Sequence, residues 1–70
     1  MSLEDEVALL EKFGLKNQFD ENVAGYLNPT ASDKDKRFYY FMAGTVIDFV
    51  EQIKKIEVPE LRRIYKHLKD

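Results

Sequence analysis

Seventy residues make a single domain, 1–70, whose core supplies only a few kcal/mol, so the chain depends on regular helices or on self-association for the rest. The absence of cysteine excludes disulfides and thiolate metal sites and fits a reducing compartment. A 44% hydrophobic and 34% charged composition excludes a disordered chain, and a net charge of −2 excludes a global field drawing the protein to nucleic acid or anionic lipid.

The chain opens with Ser2 and, three residues on, Asp5, a spacing at which side chain and backbone cap a helix start reciprocally. Leu3, Val7, Leu10 and Phe13 then recur at helical spacing, with Leu9 on the flank. Gly14 is the residue type that ends a helix in the left-handed region, and Leu15 is placed to pack back on Leu10 in a Schellman stop. The acidic start Glu4-Asp5-Glu6 is opposite in sign to a signal or transit peptide, so cytoplasmic residence is expected.

Asn17 with Asp20 predicts the start of a second helix, carrying Phe19, Val23, Tyr26 and Leu27 on one side and weakened by Gly25. Asn28-Pro29 closes it, and the segment to Ser32 is a turn.

The longest helix is predicted over Thr30–Glu57. Thr30 with Asp33 and Ser32 with Asp35 both suit its start. Phe38, Met42, Val46, Phe49, Ile53 and Ile56 fall on one stripe, widened by Tyr39 and Val50. Arg37, Asp48, Glu51, Gln52 and Lys55 take the opposite face. Pro59, which restricts Val58 and lacks an amide proton, sets the expected end. Tyr40, Phe41 and Ile47 lie off the stripe with Gly44 between them. Either neighbouring helices cover them, or they form a second contact face that Ala43 and Gly44 let another backbone approach; a break at Gly44 is the third reading, since glycine costs about 1 kcal/mol in a helix. No apolar run approaches the ~18–20 residues a bilayer span needs; the longest is Phe38 to Ala43.

After Pro59, Leu61, Ile64, Tyr65 and Leu68 share one side of a last helix, and Arg62, Arg63, Lys66 and Lys69 the other. The expected fold is therefore all-α: three helices of roughly 15 Å packed on a central one of roughly 38 Å, at 1.5 Å per residue. The second helix is expected on the first half of the central helix, the last on its second half, and the first in the remaining groove.

No catalytic constellation emerges. His67, with Asp70 three residues on, is a lone histidine that lacks the further ligands or the nucleophile that metal or acid–base chemistry needs. Asp20, Asn22 and Gly25 match three positions of a calcium loop, but Ala24 and Ala31 stand where oxygen ligands belong. Asn28-Pro29-Thr30 carries the proline that blocks glycosylation. A helix-turn-helix reading of Gly14 and the following helix fails on its spacing and on Asp20-Glu21, which point carboxylates at phosphates.

What remains is an excess of aromatics, five Phe and four Tyr, and an uneven charge: residues 1–35 hold eight acids and three bases, residues 36–70 five acids and eight bases. These features predict a non-enzymatic interaction or regulatory module without a cofactor. Its expected partner is a second copy or another protein, met through Tyr40, Phe41, Gly44 and Ile47. The alternative is nucleic-acid binding through Arg62, Arg63, Lys66 and Lys69.

Overall fold

The computed structural model describes residues 2–69, and within them the chain is all-α with no strand. Four helices follow in order: α1 (Leu3–Lys12), α2 (Lys16–Leu27), α3 (Asp33–Asp48) and α4 (Pro59–His67). A five-residue π-helical turn, Phe49–Ile53, continues α3.

Local chemistry explains most of the helix ends. Ser2 Oγ accepts from the Asp5 amide and the Asp5 carboxylate accepts from the Ser2 amide, so two of the free donors at the head of α1 are satisfied. At the other end Gly14 adopts φ +72°, the Leu15 amide donates to the Leu10 carbonyl (2.8 Å) and the Gly14 amide to that of Glu11 (3.1 Å). That is the expected Schellman stop. The chain then passes straight into α2 through Leu15, which caps without a side-chain bond, so Asn17 lies inside the helix instead of opening it. Asn28 Oδ1 accepts from both the amide and hydroxyl of Thr30, which fixes the turn, and Ser32 caps α3 by accepting from the Asp35 amide (3.1 Å).

The central helix is continuous through Gly44 but ends earlier than Pro59 suggests. Its ladder widens at the π turn, the Lys54 amide donating to the Phe49 carbonyl, and Lys55 takes φ +60° before the Ile56 amide returns to the Val50 carbonyl. The helix therefore stops at Ile53, four residues short of Glu57. The long axis of the molecule, 33 Å, is accordingly shorter than the ~38 Å helix expected from sequence.

The buried face of α3 is Ala43, Val46, Ile47 and Val50, and it meets Leu10, Phe19, Val58 and Leu61 in the core. Small and β-branched residues form this face because two helices approach it closely. The Tyr39 ring lies against Gly25 of α2, where an added Cβ would sit 2.6 Å from ring carbons, and Tyr65 of α4 covers Gly44. Pairings along the chain give the directions: Gln18 lies beside Thr45 and Val46 and Gly25 meets Tyr39, while Val58, Arg62 and Tyr65 meet Glu51, Asp48 and Gly44, so α2 and α4 both run antiparallel to α3. α1 packs against α4 and α2, not along α3.

Candidate functional site

The head of α4 is held by carboxylates from two other elements. Glu6 of α1 is completely buried, and its two oxygens accept from the amides of Leu61 (2.9 Å) and Glu60 (3.2 Å). Glu51, in the π turn, accepts from the Val58 amide through Oε2 and from Arg62 Nε and Nη2 through Oε1, at 2.9 and 2.5 Å. Asp48 adds a third contact to Arg62 at 2.9 Å. The Arg62 guanidinium, with the Val58 amide, holds the Glu51 carboxyl below its ordinary range, and the two carboxylates raise Arg62 in return. These contacts are structural: they satisfy the donors of a helix start whose first residue, Pro59, has none.

The four residues predicted as a contact patch do not share a surface. Ile47 is fully buried in the core and Gly44 is buried beneath Tyr65, so neither meets a partner in this fold. Tyr40 is half-buried, its ring stacked on Tyr65 at 4.3 Å between centroids and tilted against Tyr26 at 5.3 Å. Only Phe41 stands out, 65% exposed. The cause is a rotation of the helix by about one residue relative to the stripe read from bulky side chains. Phe38, at 57% exposure, and Phe49, at 40%, belong to the expected buried stripe yet lie on the outward side. Phe38, Phe41 and Phe49 are thus the outward aromatics of the central helix. The sequence signal for this rotation was Ala43-Gly44, two small residues that mark where neighbours press closest.

The basic face of α4 is divided as well. Arg62 is committed to Glu51 and Asp48, Arg63 pairs with Glu60 at 3.0 Å, and Lys69 Nζ lies 4.5 Å over the Tyr40 ring; Lys66 is exposed. His67 is exposed at the last position of α4, and Asp70, its suggested neighbour, lies outside the described residues. Among the described residues no group of three or more metal-ligating side chains is assembled. No helix among the described residues is long and apolar enough to cross a membrane.

Two of the concavities among the described residues have aromatic or apolar walls. One is an apolar groove of about 460 Å³ between α1, α2 and α4, bounded by Leu3, Val7, Val23, Leu27 and Ile64, with the Lys16–Asp20 ion pair at its side. The other, about 650 Å³, opens between the end of α2, the first half of α3 and the end of α4. Its floor is the ring cluster of Tyr26, Tyr40 and Tyr65, and its rim carries Phe41, Asp33, Lys36, Arg37 and Lys69. Burial pushes the Tyr65 phenol up to about 12, with the adjoining Tyr40 adding to the effect.

The described residues form a small all-α domain with outward aromatics on its central helix. The chain matches no known protein family, and neither a curated protein nor a solved structure is detectably similar to it.

Proposed function

We propose that this protein is a small non-enzymatic interaction module that self-associates through the outward face of α3. The observation that carries the reading is the exposure of Phe38 and Phe41, 57% and 65%, on the longest helix of a chain with a small core. Burying such a side chain contributes about 1.5–3 kcal/mol, which a 70-residue domain gains only from a partner once its own core is filled.

Charge favours a second copy as that partner. Lys34 and Arg37 lie beside Phe41 near the start of α3, and Asp48 lies on the same flank near its end. In an antiparallel pair of α3 helices equal flanks meet, so Arg37 of each copy faces Asp48 of the other, and the contact is self-complementary as a two-fold dimer requires. Of the residues first expected at such a contact, Phe41 stays, and Phe38 and Phe49 replace Tyr40, Gly44 and Ile47. The cysteine-free composition suits a reducing compartment, and cytoplasmic residence is part of the proposal.

Light scattering behind size exclusion, over a range of protein concentrations, tests it. The expected result is a concentration-dependent dimer of roughly micromolar affinity. Phe38→Glu should disperse that dimer with the helical signal unchanged. A monomeric mass up to about 1 mM, where the binding free energy is only ~4 kcal/mol, would remove the second copy as partner.

A further inference from the structure

We propose that the tyrosine-floored cleft binds a small aromatic anion, a planar ring bearing a phosphate or a carboxylate. The cleft's volume, about 650 Å³, lies within the ~300–1,000 Å³ usual for small-molecule sites. Its two halves have different chemistry. Tyr26, Tyr40 and Tyr65 come from three different helices and converge as contacting rings, and Phe41 stands 65% exposed beside them. Such faces accept another planar ring by stacking and edge contact. The rim supplies Lys36, Arg37 and Lys69 against one acid, Asp33, and none of these three cations forms an ion pair among the described residues. That surplus of cations selects a negative group.

Lys69 connects the two halves. Its ammonium lies 4.5 Å from the centroid of Tyr40, whose ring also stacks on Tyr65. An anion is a better partner for an ammonium than an aromatic face, so a bound phosphate or carboxylate draws Lys69 off the ring. The face it leaves is then open to the ligand's own ring. Tyr40 itself stays in place because Tyr65 backs it, so little order is lost on binding.

The test is a heteronuclear NMR titration of the whole protein with four probes: adenosine monophosphate, indole-3-acetate, inorganic phosphate and adenosine. The expected result is saturable shifts confined to the cleft residues with the nucleotide, the aryl carboxylate or both. Phosphate and adenosine should bind at least ~10-fold more weakly. Saturation by the nucleotide alone assigns the anion as phosphate, and by indole-3-acetate alone as carboxylate; either supports the site. Phosphate binding as tightly as the nucleotide would reduce the cleft to a basic patch, and adenosine doing so would remove the role of charge. Either result overturns the proposal, as do shifts that fail to saturate or scatter over the surface.

Lys36→Ala and Lys69→Ala, at positions that support no core contact, should each weaken binding by ~5–10-fold with the fold intact. Unchanged affinity in both variants would also overturn the proposal. The cleft shares Arg37 and Phe41 with the proposed dimer face, so the titration is repeated on Phe38→Glu, which lies outside the cleft: saturable shifts there support the site whether or not the protein self-associates, so failure of either reading is seen without the other.

Discussion

Glu6 lies in the first turn of α1, where an acid is ordinarily explained by the positive end of its own helix. Its carboxylate is instead buried at the head of α4, more than fifty residues away in sequence. Replacing one oxygen by an NH2 group in Glu6→Gln preserves volume but leaves a single acceptor, so one of the Glu60 and Leu61 amides faces a donor instead. The expected loss is about 2 kcal/mol, the cost of a buried donor left unsatisfied, read as a shift in the urea midpoint. Glu4→Gln, exposed one turn edge away, should stay within about 0.5 kcal/mol. Equal effects from the two variants would show that Glu6 caps nothing. The two helical glycines give a second ordering at this scale. Alanine is about 1 kcal/mol better than glycine in a helix, yet a Cβ at Gly25 lands 2.6–2.7 Å from three atoms of the Tyr39 ring. Gly25→Ala should therefore destabilise, by about 1–2 kcal/mol of overpacking beyond the propensity gain. At Gly44 the nearest atom is the Tyr65 hydroxyl oxygen, at the far end of a side chain that can swing, so Gly44→Ala should lower the melting temperature less. A stabilised Gly25→Ala protein would show that Tyr39 does not hold that position.

Elements were legible from sequence where their signals are local. The capping pair Ser2 and Asp5, the left-handed Gly14 and the first-turn Pro59 each act within a few residues, and each is found as read. The end of α3 and the face it buries depend on partners distant in sequence. No glycine marks the stop after Ile53; Lys55 takes the left-handed conformation because Glu51 and Val50 are tied to the returning chain at Val58 and Ile56. The face was misread for a related reason. Bulky side chains define the stripe on a wheel, but α2 and α4 press close enough that small and β-branched residues fill the buried side and leave Phe38 and Phe41 outside. The candidate contact patch inherited that rotation: Phe41 is exposed, and Ile47 lies in the core. A left-handed lysine is strained by about 1–2 kcal/mol, part of which glycine gives back through the entropy of the unfolded chain. Lys55→Gly should thus raise stability by about 0.5–1 kcal/mol, measured by denaturant unfolding. A clear loss would mean the lysine side chain, and not its backbone, holds the turn.

At the scale of the whole molecule, α4 is joined to the rest by polar contacts at its head and by rings near its tail, and these two ends respond to opposite extremes of pH. At the head, the Arg62 guanidinium and the Val58 amide lower the Glu51 carboxyl from 4.5, so the folded chain takes up that proton less readily than the unfolded one. Its contribution to stability is complete above about 4.5 and is lost as pH falls through the lower, folded value. At the tail, burial raises the Tyr65 phenol from 10.0 to about 12, so the unfolded chain ionises first. That contribution is complete below about 10 and is lost as pH rises from there to about 12. Unfolding free energies measured across the range should form a plateau with two falling arms, and each arm should answer to one variant. Glu51→Gln should lower the plateau and flatten the acid arm, while the alkaline arm is unchanged. Tyr65→Phe removes the ionisable group but keeps the stack on Tyr40, so it should flatten the alkaline arm alone. If Tyr65→Phe leaves that arm as steep as before, the phenol is not what opens the tail, and the ring cluster that floors the cleft is less tightly closed than its 4.3 Å stack implies.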